Sequence, residues 1–303
     1  MSSNVEDRRG LSGGAKAGIG GGILAVIIGI VMSLLGGGGG GAGGGIDLGQ
    51  VIGAITQGGG GLGDILGGRQ AEATYEGETD PTQFTPEEQR LDTVCRIILA
   101  STEDVWTKVF KENNLGTYAN PTLVLFTNSV QSACGTAPSS VGPFYCSGDQ
   151  KLYIDLSFFT QMEKQLGAPG DFARAYVIAH EVGHHVENLL GSLGQAHAQM
   201  NRQSKTEANK TSVRLELLAD YYAGVWAHYE DEAFGSLEQG DLQEAIKCAH
   251  QIGDNYLQKT QQGYVVPESF THGTSEQRMK WLKLGYDTGN MNTTTFNVAE
   301  SQL

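Results

Sequence analysis

No C-x-x-C pair occurs in this 303-residue chain, and its four cysteines, Cys95, Cys134, Cys146 and Cys248, are scattered. A metal site built from cysteine is therefore not expected. Basic residues are also scarce, 20 Lys and Arg against 34 Asp and Glu, for a formal charge of −14. So acidic a surface repels phosphate backbones, which argues against nucleic acid as a partner and otherwise serves solubility. Residues 17–46 carry no charge at all, and no internal repeat is present.

The uncharged stretch has an apolar centre, Ala17 to Leu35. As a helix, these residues would span about 28 Å, close to the hydrocarbon thickness of a bilayer. Its glycines are tolerated in membrane helices, and no small-residue cleavage site follows it. The expected organisation is a tail over 1–16, one transmembrane helix over 17–35, a Gly-rich flexible linker over 36–84, a folded domain over 85–295 and a tail over 296–303. Arg8, Arg9 and Lys16 precede the apolar run, and the next cation is Arg69. The positive-inside rule then predicts a single-pass protein with a cytoplasmic N-terminus and an extracytoplasmic domain. Outside the cytosol an even cysteine count favours disulfides. Cys134 and Cys146 would staple the Gly-, Pro- and Ser-rich loop between them, and Cys95–Cys248 follows by subtraction. In the cytosol, four buried free thiols are expected instead.

The folded domain opens at Thr85-Pro86-Glu87-Glu88, which has the residues of a capping box with proline in the first turn. Leu91–Phe110, Phe172–Leu190, Val213–Tyr229, Leu242–Leu257 and Ser275–Leu284 show helical periodicity. Thr122–Phe126 and Leu152–Leu156 read as strands. Few strands followed by several helices predict an α+β domain, mainly helical with a small sheet. At this length it can bury a core unaided, so a bound metal would serve chemistry and not folding.

The chemistry concentrates in Ala179-His180-Glu181-Val182-Gly183-His184-His185, an H-E-x-x-H pattern. Histidines four apart on a helix share a face, so both imidazoles can reach one ion, and zinc accepts such nitrogens. Glu181 is placed to act as general base towards a water activated by the metal. The competing explanation is an ordinary helix with core or surface histidines. Arg214-Leu215-Glu216-Leu217-Leu218-Ala219-Asp220 adds two carboxylates one turn apart on an apolar helix. Glu216 is the predicted third ligand and Asp220 the acceptor of a ligand histidine's free N–H. The alternative is a salt-bridged pair with Arg214 or Arg202. His272, beside Gly273 and a helix start, is a candidate oxyanion donor, with Tyr221, Tyr222 and Tyr264 as rivals and a capping or surface role as the alternative. Arg278 could anchor that loop through an acidic residue. His185 is expected to be a hydrogen-bonding or core residue, and His197, His228 and His250 have no metal-like neighbours.

These stretches, with Asn4-Val5-Glu6-Asp7-Arg8-Arg9, Glu103-Asp104-Val105-Trp106, Val141-Gly142-Pro143-Phe144-Tyr145-Cys146, Tyr153-Ile154-Asp155-Leu156-Ser157-Phe158-Phe159 and Thr271-His272-Gly273-Thr274-Ser275-Glu276-Gln277-Arg278, resemble the bacterial neutral zinc metallopeptidase family of single-pass membrane proteins. The long Gly-rich stretch, Cys95 and Cys248 depart from it. The resemblance implies a zincin-like fold, Zn2+ held by His180, His184 and Glu216, Glu181 as base, and a peptide or protein substrate. In zincins an edge strand takes up extended peptide, and Tyr153–Leu156 is the candidate here. Two other functions stay open: a catalytically silent, chaperone-like metal-binding module at the membrane, and a metal-dependent hydrolase of a non-peptide substrate. An intact Glu181 weighs against the silent module.

Overall fold

The computed structural model describes residues 1–10, 83–167 and 170–303. The expected membrane helix over 17–35 and almost all of the 36–84 linker lie outside those residues. Among the described residues no helix is long and apolar enough to cross a membrane.

In chain order the elements are β1 (Val5–Asp7), α1 (Pro86–Glu112), β2 (Thr122–Phe126), β3 (Ser129–Ser132), β4 (Gly135–Pro138), β5 (Phe144–Cys146), β6 (Lys151–Asp155), α2 (Ser157–Gln161), α3 (Asp171–Leu189), α4 (Ser192–Met200), α5 (Lys205–Phe234), α6 (Asp241–Gln251), α7 (Asp254–Gln262) and α8 (Ser275–Thr288). The fold is α+β, mainly helical with a small sheet. α1 begins as its sequence dictates. Glu88 N donates to Thr85 Oγ1 at 3.2 Å, and Thr85 N donates back to Glu88 Oε2 at 2.8 Å.

The main sheet runs β1-β2-β6-β5, parallel except for β5, which is antiparallel to β6. Its residues alternate between two apolar layers, as pleating requires. Leu123, Leu125, Leu152 and Ile154 face the helices, whereas Val124, Phe126 and Tyr153 pack with Phe144 under the β3–β4 hairpin. On the helical side Trp106 of α1 meets Tyr222 of α5 edge to face, with ring centroids 5.7 Å apart.

Several expectations need correction. Residues 1–16 are not wholly a separate tail, because Val5–Asp7 pairs with Leu123–Leu125 and completes the sheet. Three residues are too few to show a strand period, and their partner lies over a hundred positions away. Tyr153–Leu156 is not an edge. β6 is hydrogen-bonded on both sides, and the edge beyond it is β5. The predicted helix over 242–257 is two helices, with the break after Gln251 and the second beginning at Asp254. The apolar period carries across this short interruption and hides it. The 296–303 tail is not free of the domain either. Phe296 and Val298 pack against the core, and Arg214 donates to the Val298 carbonyl at 3.0 Å.

Cys134 and Cys146 form a disulfide, which joins the hairpin to β5. Cys95 and Cys248 do not pair. Both are buried free thiols, each pushed up to about 12 by burial.

α5 and α8 pack closely because Gly224 and Gly285 lie at their crossing. A Cβ on Gly285 would sit 2.0 Å from the Tyr221 carbonyl oxygen. Gly285→Ala should therefore force these helices apart and destabilise the domain by about 3 kcal/mol, read as a lower midpoint in urea unfolding. An unchanged midpoint would show that the crossing is not tightly packed.

Candidate functional site

α3 and α5 cross where each carries its polar residues. Gly183, between the two histidines of α3, permits the approach. A Cβ there would lie 2.8 Å from the Ala219 carbonyl oxygen. The crossing sets His180 and His184 against Glu216 and Asp220, although thirty-two positions separate His184 from Glu216.

The structure brings His180, His184 and Glu216 together, with one potential ligand atom from each within 4.8 Å of the others. Glu216 Oε2 lies 3.2 Å from His180 Nε2, and Glu216 Oε1 lies 3.7 Å from His184 Nε2. The opposite ring nitrogens are both engaged. His180 Nδ1–H donates to Asp220 Oδ1 at 2.8 Å, and His184 Nδ1–H donates to Glu187 Oε2 at 2.8 Å. Those bonds fix the tautomers and turn two Nε2 lone pairs towards a carboxylate. Such a meeting is repulsive unless protons or a cation lie between. Zinc–ligand bonds of 2.0–2.1 Å put tetrahedral ligands about 3.3 Å apart, and the two carboxylate–imidazole separations here, 3.2 and 3.7 Å, lie close to that. These three residues could hold one divalent ion.

Charge balance supports the fit. Glu181, Glu187, Glu216 and Asp220 cluster here, with Arg278 as the guanidinium among them. Glu187 is fully buried, and its Oε1 has no hydrogen-bond partner. Burial pushes its carboxyl up to about 7, against the pull of His184. Burial also raises Glu181, again opposed by His180 and His184. For His180 burial favours the neutral ring, but Asp220 and Glu216 outweigh it and raise the pKa to about 10. Burial works against ionised Glu216 as well, and His272, His180 and His184 still hold its carboxylate well below the usual range. A cation among these groups would offset their mutual repulsion.

Asp220 is completely buried and fully bonded. Its Oδ1 accepts from Tyr176 Oη at 2.6 Å, His180 Nδ1 at 2.8 Å and Arg278 Nη2 at 2.9 Å, and its Oδ2 accepts from Arg278 Nε at 2.8 Å. Arg278 thus docks α8 on α5 through an acidic residue, and the loop it is predicted from sequence to anchor is held by Asp254 instead. Arg214 does not pair with Glu216 and donates instead to the Thr295 and Val298 carbonyls.

His180, Glu181, His184, Glu216 and His272 all line one cleft of about 300 Å³. Of the rival oxyanion donors, Tyr221 and Tyr222 are buried in the core, Tyr264 is exposed, and none of them lines the cleft. Asp254 holds the His272 loop. Its Oδ2 accepts from the backbone N–H of Thr271, His272 and Gly273 at 2.8, 2.7 and 3.1 Å, and its Oδ1 lies 3.2 Å from His272 Nδ1. The second ring nitrogen of His272 is not engaged by Asp254.

Sequence reasoning missed Glu187, Asp254 and His197. Glu187 lies three residues after His184, a helix-neighbour spacing that could have drawn attention to it. Asp254 gave no local signal. His197 does line the cleft, and burial brings its imidazole down to about 4. His185 links β5 to α3. Its Nε2–H donates to the Ala119 carbonyl at 2.7 Å, and Tyr145 Oη donates to its Nδ1 at 3.0 Å. His228 bonds the Tyr286 carbonyl and His250 packs on Tyr256, so both stand apart from the cleft.

Glu187→Gln should keep the fold and weaken zinc affinity about 10–100-fold, measured by competition with a chromogenic chelator. Unchanged affinity would show that Glu187 does not orient His184 towards a metal.

A family model described as "Putative neutral zinc metallopeptidase" matches residues 1–296. The chain is 43% identical over 298 residues to "Uncharacterized protein YpfJ" of Escherichia coli strain K12, covering 95% of this chain and 93% of that one. It is 41% identical over 219 residues to "Uncharacterized protein Rv2575" of Mycobacterium tuberculosis strain H37Rv, covering 68% of this chain and 71% of that one. No solved structure matches. The match extends from the first strand through the histidine pair and the carboxylate helix to the end of α8, and the chain therefore belongs to this zinc metallopeptidase family.

Proposed function

We propose that this protein is a zinc peptidase of zincin-like design, with His180, His184 and Glu216 as ligands and Glu181 as general base. One observation carries the proposal. Two imidazole Nε2 atoms and a carboxylate converge at ligand spacing while buried carboxylates, Asp220 and Glu187, occupy both Nδ1 positions. Glu181 lines the same cleft without joining the cluster.

Zinc in such a site supplies Lewis-acid charge that brings the pKa of water towards ~7. Glu181 would take a proton from a water in the cleft as that water's oxygen attacks the scissile carbonyl carbon. Charge develops on the carbonyl oxygen, where the free ring nitrogen of His272 donates a hydrogen bond, the ring being held by Asp254. Glu181 then returns the proton to the leaving nitrogen as the C–N bond breaks, so protons balance across the cycle. The cleft mouth suits extended peptide. Among the described residues β5 is the outer strand of the sheet, Phe144 and Tyr145 line the cleft, and strand addition there would lay a peptide past Glu181. Val177, Leu193, Leu215 and Phe158 also line it and favour an apolar side chain next to the scissile bond. The Cys134–Cys146 disulfide favours an oxidising compartment for the catalytic domain.

Purified protein should contain about one zinc per chain, bound by a site of three protein ligands. It should hydrolyse a casein-type substrate in a chelator-sensitive manner. Glu181→Gln should retain zinc and lose about 10²–10⁴-fold in rate, whereas His184→Ala should lose the metal. Undiminished turnover by Glu181→Gln, or hydrolysis indifferent to chelator, would end this proposal.

A further inference from the structure

Four histidines line the cleft: His180, His184, His197 and His272. Three of them have a carboxylate at Nδ1, which is Asp220 for His180, Glu187 for His184 and Asp254 for His272. His197 is the exception. Among the described residues its ring makes no hydrogen bond and no ion pair.

The fold holds this unengaged ring in place. His197 lies one turn after Leu193 on α4, and both line the cleft, as helical spacing allows. Ala196, beside it, is buried in the core. α4 packs on α3 and α5, the helices that carry His180, His184 and Glu216. His197 is itself half-buried. Burial and the neighbouring His184 both disfavour the imidazolium, so the ring stays neutral. A neutral imidazole carries one N–H donor and one acceptor nitrogen, and no protein group uses either.

A peptide laid along β5 has the matching need. In an added strand, the N–H and C=O groups of alternate residues bond the edge, and those of the residues between point away from it. Inside a cleft such groups lose water, and leaving them unpaired is costly. Arg278 cannot serve them, because Asp220 and Tyr176 already engage it. We propose that His197 is a substrate-binding residue whose ring N–H donates to a backbone carbonyl of the bound peptide, at a bond other than the scissile one. The proposal rests on the reading of the cleft as a peptide site. Recognition of a backbone carbonyl is blind to side-chain identity, so this contact selects extended chain and not a particular sequence.

The test separates binding from turnover. Zinc-loaded Glu181→Gln protein is titrated with a fluorescein-labelled peptide of extended, apolar sequence, and affinity is read by fluorescence anisotropy. Adding His197→Leu, which fills similar space without a donor, should weaken binding about tenfold. Adding His197→Gln, which keeps a donor, should leave affinity within about threefold of the parent. Zinc content should be equal in all three proteins. Peptides with an (E)-alkene in place of one peptide bond at a time then locate the carbonyl. One such replacement should weaken binding to the parent about tenfold and leave binding to the His197→Leu protein unchanged, as a paired contact requires. Equal affinity of the parent and the His197→Leu protein overturns the inference. So does zinc lost on His197→Leu, or a parent that does not bind the peptide. Where binding depends on His197 but the wild-type protein leaves the peptide uncut, the inference stands and the peptidase reading fails.

Discussion

The site depends on one buried carboxylate. Asp220 gathers Tyr176 and His180 from α3 and Arg278 from α8 while belonging to α5 itself, so a single side chain ties three helices. Burying an aspartate without partners would be strongly unfavourable, and here both oxygens are satisfied. Burial alone would raise its pKa, but Arg278 and His180 hold it well below the ordinary carboxylate range. The same contact that stabilises the charge orients the His180 ring. Structural and chemical roles are thus inseparable at this position, and the order of His180 depends on the docking of α8.

Close backbone contact makes that docking possible. Glycine at 183 lets α3 reach α5, and glycines at 224 and 285 let α5 reach α8. Each missing side chain shortens an interhelical distance by about the width of a methyl group, which decides whether a carboxylate meets an imidazole or falls short. The sheet is coupled to the same helix from the other side. His185 follows His184 in sequence, points away from it, and binds Tyr145 of β5. The edge strand and the histidine pair are therefore held in one frame.

Much of this was legible in sequence. His180, Glu181 and His184 could be read because helical spacing alone places them one turn apart. Glu216 and Asp220 stood out because two acids on an apolar helix require a partner. The capping box at Thr85 is likewise a local pattern that the backbone executes as written. Glu187 was hidden because an acid three residues after a histidine resembles any exposed helix pair, and only its complete burial sets it apart. Asp254 was hidden by a helix break that the apolar period passes over.

The sequence by itself determined what each helix presents: the histidine pair and its glutamate on α3, the acid pair on α5, and the α+β balance of elements. These follow from periodicity, which is a property of neighbours in the chain. Tertiary structure alone decided that β5 and not β6 is the edge, that Cys95 and Cys248 stay apart, and that residues 5–7 complete a sheet with a strand more than a hundred residues away. Strand order and long-range pairing are chosen by competition among all surfaces to be buried at once, and no local pattern records the outcome of that competition.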